Sequence, residues 1–176
     1  MLVPPIVVLL FFQGRWPSAA AGIIFLVACL TDFFDGFIAR RFSLESSFGR
    51  FLDPIADKVL VTSALIMLIA LDRVPAWVVM LIITREVSVS ALRAITKSWD
   101  TTLSPSRVGK WKAVFQFGAC VPLIIHYEYH LLIPINFHLI GTVLLYIALF
   151  LTIWSGVDYF LRFYREYDVR ENGGGF

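Results

Sequence analysis

Residues 31–58 read TDFFDGFIARRFSLESSFGRFLDPIADK. Asp32 and Asp35 stand three apart at the end of one apolar run, and Asp53 and Asp57 stand four apart at the start of the next. On helices, those spacings keep each pair on one face. The stretch between them, RRFSLESSFG, carries the Ser, Gly and charge of a chain reversal. The two carboxylate faces are therefore expected to meet as an antiparallel helical hairpin.

Composition says where such a hairpin sits. The 176 residues are 59% hydrophobic and 16% charged, with a mean hydropathy of +0.78. A soluble domain does not carry that much apolar surface, so the expectation is one integral membrane domain over 1–176, with no nucleic-acid partner. Crossing a bilayer as a helix takes about 20 apolar residues. Six spans are predicted, over residues Leu2–Gln13, Ser18–Arg40, Phe51–Leu71, Pro75–Leu92, Ala113–Ile125 and Ile135–Phe163. They are separated by QGRWP, RRFSLESSFG, LDRVP, TKSWDTTLSPSRVGK and YEYHLLIP, and residues 166–176, ending in NGGGF, read as a tail. The expected fold is all-α: a polytopic six-transmembrane-helix bundle. Its first span, at 1.5 Å per residue, is too short for a core of about 30 Å. The chain is therefore expected to begin inside what would be a full first helix. No basic segment or small-residue cleavage site marks that start as a signal peptide.

Charge orients the bundle. Thirteen Lys and Arg fall on the side that carries residues 31–58, and Arg15 and Arg73 alone fall on the other. By the positive-inside rule the carboxylates face the cytoplasm from the cell membrane. His126, His130 and His138 lie toward the opposite interface, and Cys29 and Cys120, in separate apolar runs without metal-ligand spacing, read as small buried hydrophobes.

Four unpaired carboxylates at a membrane surface repel one another. Divalent cations remove that cost. With oxygen ligands and no accompanying Cys or His, the expected ions are Mg²⁺ or Mn²⁺, and four Asp suffice for two ions sharing ligands, an arrangement suited to phosphoryl chemistry. Gly36 and Ala39 leave the carboxylate face open, Gly49 sits one turn before Asp53, and Arg40 offers a fork for phosphate.

The pattern Asp32-x2-Asp35-Gly36-x2-Ala39-Arg40-x8-Gly49-x3-Asp53-x3-Asp57 resembles the complete signature of the CDP-alcohol phosphotransferases. The similarity extends through TDFFDGFIARR, FGRFLDPIADKVLV, ITREVSVSALR and VGKWKAVFQ. The resemblance implies six transmembrane helices, two divalent ions, a homodimer, and transfer of a phosphatidyl group from CDP-diacylglycerol, or of a phospho-alcohol group from a related CDP donor, with release of CMP. Asp32, Asp35 and Asp53 are then expected to ligate the ions, with Asp57 completing the second site or acting as base. The CDP donor is expected against Asp32, Gly36, Ala39, Arg40 and Gly49. The family's usual amphipathic segment and Arg-bearing first helix would precede residue 1.

Acceptor choice is expected from residues 84–116. Arg85 and Arg93 are eight apart, two turns along one helical face, with Ser88 at a similar angle, and Lys110 and Lys112 open the fifth span. A cationic cluster there suits an acceptor carrying its own phosphate, such as glycerol 3-phosphate, which would yield phosphatidylglycerophosphate. Glu86 is expected to pair with a cation or orient the cluster. Inositol phosphate and phosphatidylglycerol are the alternative acceptors. A cation transporter would more often spread its carboxylates toward the midplane and show internal repeats, and this sequence shows neither.

Overall fold

The computed structural model describes the backbone of residues 14–42, 47–99, 107–130 and 134–172, and the side chains of those ranges except 32–42, 47–57, 98, 107, 128–130, 134–135 and 172. Five helices follow one another: α1 (Arg15–Phe42), α2 (Ser47–Ala70), α3 (Ala76–Ser98), α4 (Arg107–Ile125) and α5 (Phe137–Asn172). Between α4 and α5 lies a short antiparallel pair, β1 (Glu128–His130) and β2 (Pro134–Asn136), with Tyr129 opposite Ile135. The expected span Leu2–Gln13 lies outside the described residues.

The helix ends have readable causes. Pro17 sits in the first turn of α1, where a missing N–H costs nothing. The α2–α3 connection at LDRVP closes as a Schellman motif: Arg73 N–H reaches Leu68 O at 2.9 Å, Asp72 N–H reaches Ile69 O at 3.0 Å, and Asp72 takes the left-handed conformation at φ 54°. Pro75, with φ −64°, then starts α3. At the head of α5, Asn136 Oδ1 accepts from Leu139 N–H at 2.9 Å, a side-chain N-cap. All five helices outrun the expected spans at one end or both, three of them by six residues or more: α3 continues to Ser98, α4 begins at Arg107 rather than Ala113, and α5 runs through residues 166–172. The expected ends followed the apolar runs. A helix need not stop where its surroundings turn polar, and Lys97, Lys110, Lys112, Arg162 and Arg165 all continue the helical course.

Among the described residues, α4 from Val108 to Ile125 and α5 from Phe137 to Glu171 are long and apolar enough to cross a membrane, and Arg15–Thr31 and Lys58–Ala70 are shorter apolar helical stretches. Apolar side chains also cover the outside. Trp16, Met80, Phe150 and Trp154 are all more than half exposed, although the core is filled by Phe25, Leu65, Leu68, Ile82, Leu123 and Leu145. Helices that are hydrophobic on both faces belong in lipid.

In lipid, close approach rather than water exclusion holds helices together. Helix α4 packs against α1, α2 and α5, and two glycines make room for it. A Cβ on Gly22 would lie 2.6 Å from Ile125 Cγ1, and one on Gly141 would lie 2.6 Å from Leu123 Cγ and 2.9 Å from its backbone nitrogen. Gly141→Ala should therefore destabilise the detergent-solubilised protein by about 1–3 kcal/mol. Gly118→Ala, with nothing within 4 Å of the new methyl group, should be neutral or slightly stabilising. Thermal unfolding of the two variants checks both.

Arg73 departs from its expected place as one of two flanking charges. It is 6% exposed, and its guanidinium donates to Ile124 O at 2.5 Å, Leu123 O at 3.3 Å and Ser18 Oγ at 3.0 Å. It thus ties the α2–α3 turn to the carbonyl end of α4, where a cation is favoured, and to the head of α1. Tyr127 lies beneath it, 5.8 Å from guanidinium to ring centroid.

The same end holds His126, in the left-handed region at φ 60°, with its Nδ1 3.2 Å from His138 Nδ1. Burial, then the Arg73 guanidinium and the His138 ring, push the His126 pKa below its usual value near 6.5. The unfolded chain then takes up a proton before the folded protein does. Stability is full above about pH 6.5 and declines as pH falls from there toward the lowered folded value. The unfolding midpoint should drop between pH 7.5 and 5.5, and His126→Asn, which tolerates the left-handed backbone, should drop less. An equal drop in both proteins would remove His126 as the cause. The His130 side chain lies outside the described residues.

Cys120 is fully buried and Cys29 partly so, both within the apolar core.

Candidate active site

Helix α1 carries Asp32, Asp35, Gly36, Ala39 and Arg40 toward its C-terminal end, and α2 carries Gly49, Asp53 and Asp57 in its first half. Their side chains lie outside the described residues. The described side chains of α2 begin one position later, at Lys58, which lines a cavity.

That cavity, of about 390 Å³, is walled by α2, α3, α4 and α5. Arg85, Arg93, Lys110 and Lys112, the four cations expected to serve the acceptor, all line it, and Lys58 makes a fifth. The α3 wall is one helical face: Arg85, Glu86, Val89, Ser90 and Arg93 succeed one another at one- and two-turn spacings. Ser88 falls behind Arg85, outside that face, and is exposed. Ser90 takes the place expected for it, accepting from Lys58 Nζ at 2.5 Å and donating to Glu86 O at 2.6 Å. On α4, Lys110 and Lys112 are two residues apart and so diverge, with Lys112 only 5% exposed and Lys110 exposed.

One carboxylate sits among these cations. Glu86 Oε1 forms salt bridges with Lys112 Nζ and with Arg85 Nη1, the latter at 3.1 Å. Arg85 Nη2 donates to Ser155 Oγ on α5 at 2.9 Å. Gly156 leaves room for its stem, since a Cβ there would come within 3.0 Å of Arg85 Cγ. Such a clasp fixes the guanidinium before any ligand arrives, and among the described residues the cavity's five cations and one carboxylate keep a strong surplus of positive charge. Its chemical offer is to a small, multiply charged anion.

Helix α5 contributes Tyr159 as well. It is 4% exposed, and the Arg93 guanidinium stands 6.0 Å from its ring centroid. Neither the Tyr159 hydroxyl nor Arg85 Nε has a hydrogen-bond partner among the described residues, although both are buried. Sequence reasoning missed Lys58, Ser155, Gly156 and Tyr159. Lys58 had a signal, its place directly after Asp57. The α5 residues had none, because Ser, Gly and Tyr are ordinary in membrane helices.

For the metal, the donor set is the test. Asp32, Asp35, Asp53 and Asp57 supply carboxylate oxygen alone, which fits Mg²⁺ or Mn²⁺. Among the described residues, no group of three or more His, Cys, Asp or Glu is placed to hold a metal ion.

Residues 1–154 match the model of the CDP-alcohol phosphatidyltransferase family. A CDP-diacylglycerol–glycerol-3-phosphate 3-phosphatidyltransferase of Bacillus subtilis (strain 168) is 39% identical over 81% of this chain and 72% of its own length. One of the same name from Rickettsia typhi is 38% identical over 91% of this chain and 89% of its own. A cardiolipin synthase (CMP-forming) of Oryza sativa subsp. japonica is 35% identical over 93% of this chain and 54% of its own.

Proposed function

The chain belongs to the CDP-alcohol phosphatidyltransferase family, and on that premise we propose that it transfers the phosphatidyl group of CDP-diacylglycerol to glycerol 3-phosphate, forming phosphatidylglycerophosphate and CMP. One observation carries the acceptor half. The residue after Asp57 lines a cavity that Arg85, Arg93, Lys110 and Lys112 also line, which supports a site for a small phosphorylated acceptor beside the carboxylate segment. A neutral alcohol would leave the surplus of positive charge beyond Glu86 unmet, whereas a phosphate meets it.

In the reaction, Asp32, Asp35, Asp53 and Asp57 would hold two Mg²⁺ or Mn²⁺ ions, which when bound supply positive charge to the donor diphosphate and the departing CMP. Arg40 steadies the donor phosphates, and Gly36, Ala39 and Gly49, together with Asp32, leave room for the nucleotide. Arg85, Arg93, Lys110 and Lys112 hold the acceptor phosphate. Its free terminal hydroxyl then attacks the donor β-phosphorus, and Asp57 takes the hydroxyl proton. A new oxygen–phosphorus bond forms as the bond from that phosphorus to the CMP oxygen breaks. Arg85 and Lys112, fixed by Glu86, need little rearrangement to bind.

The protein in this reading is a homodimeric, six-segment protein of the cytoplasmic membrane, with the site on its cytoplasmic side, where thirteen of its fifteen Lys and Arg fall. The purified protein in detergent, given CDP-diacylglycerol and glycerol 3-phosphate, should release CMP and form phosphatidylglycerophosphate. EDTA should stop it, and Mg²⁺ or Mn²⁺ in excess should restore it. Turnover with phosphatidylglycerol or inositol phosphate in place of glycerol 3-phosphate would overturn the acceptor assignment, and EDTA-resistant turnover would overturn the metal.

A further inference from the structure

We propose that Tyr159 recognises the uncharged part of the acceptor, pairing with the hydroxyl of glycerol 3-phosphate that does not react. This deepens the acceptor reading above and rests on it. A buried polar atom without a partner is uncommon in a folded protein and calls for one. Tyr159 lines the cation-lined cavity, and its buried hydroxyl is such an atom among the described residues.

Its chemistry separates it from the cations beside it. Lys and Arg only donate hydrogen bonds, and a phosphate, which accepts, is served by Arg93, Lys110 and Lys112 and by the unpaired Nε of Arg85. A phenolic hydroxyl both donates and accepts. Its natural counterpart is another hydroxyl. Ser90, which also lines the cavity, already spends its hydroxyl on Glu86 O and Lys58. Of the two hydroxyls of glycerol 3-phosphate, the terminal one gives its proton to Asp57, which leaves the middle one for Tyr159. A site with a buried hydroxyl waiting for a partner rejects a ligand that cannot supply it.

The test compares glycerol 3-phosphate with 3-hydroxypropyl phosphate, which keeps the phosphate and the terminal hydroxyl but lacks the middle one. The full-length protein in detergent, loaded with metal and CDP-diacylglycerol, is assayed for CMP release. The wild type should favour glycerol 3-phosphate in kcat/KM by about tenfold or more. Tyr159→Phe should bring the two acceptors within about twofold, by losing rate on glycerol 3-phosphate alone. Inorganic phosphate, which has no carbon skeleton, should inhibit both proteins at the same concentration, which shows the variant's cavity intact. Lys112→Ala should instead raise KM for both acceptors alike. A wild type that does not discriminate overturns the proposal without any variant. So does a Tyr159→Phe protein that keeps the full preference or loses rate equally on both acceptors. A wild type inactive with glycerol 3-phosphate but active with another acceptor overturns the acceptor reading itself.

Discussion

Asp57→Asn should lower the rate of CMP release by about 10²- to 10⁴-fold, the range for loss of a general base. Asparagine keeps the shape and one accepting oxygen but cannot take a proton from the acceptor hydroxyl. Asp57 is also proposed as a metal ligand, and the two roles separate experimentally. A lost ligand weakens metal binding, so raising Mg²⁺ or Mn²⁺ would recover the rate. A lost base leaves it low at every metal concentration. Initial rates across a metal titration decide between them, and near-full activity at low metal would remove Asp57 from both roles. Because the next residue, Lys58, lines the cavity, the variant should also be checked for an unchanged KM for glycerol 3-phosphate.

Arg73→Met should be the most destabilising single change among the described residues outside the site. Its guanidinium serves two main-chain carbonyls of α4 and the hydroxyl of Ser18, all buried. Methionine fills similar space but leaves those acceptors unmet, at an expected loss of about 3 kcal/mol, or roughly 10 °C in unfolding midpoint. Arg73→Lys should recover only part, because an ammonium cannot fork across several acceptors. KM for glycerol 3-phosphate should hold in both variants below the midpoint, since Arg73 does not line the cavity. A midpoint shift of under about 2 °C for Arg73→Met would show the guanidinium contacts to be dispensable.

Sequence patterns made the helices readable and their ends less so. LDRVP broke where expected because Asp, Arg and Pro interrupt an apolar run. The longer reach of α3, α4 and α5 was hidden because hydropathy reports the surrounding solvent, while backbone hydrogen bonding continues into charged segments such as 107–112 and 162–172. The pairing of β1 with β2 had no signal in three-residue strands containing Glu, His and Asn. At the site, Arg85 and Arg93 stood out by their eight-residue spacing on one helical face, and Lys110 and Lys112 by opening the fifth span. Arg73 counted only as one of two basic residues on the opposite side, since a sequence does not show which carbonyls a guanidinium can reach. Tyr159 was invisible, because its meaning comes from a neighbouring helix rather than from its own.

The placement of α4 has a mechanical consequence. Near Leu123 and Ile125 it is gripped by Gly22, Gly141 and Arg73, whereas its opposite end, at Gly109 to Lys112, borders open space. The assembly is therefore built like tongs, with a pivot at one end and jaws at the other. Over the 19 residues of α4, roughly 28 Å at 1.5 Å each, a displacement of about 1 Å at the jaws needs only about 2° at the pivot. Whatever closing accompanies turnover can then leave the far contacts nearly undisturbed, and the α4 side chains proposed to hold the anion are the ones with the longest lever.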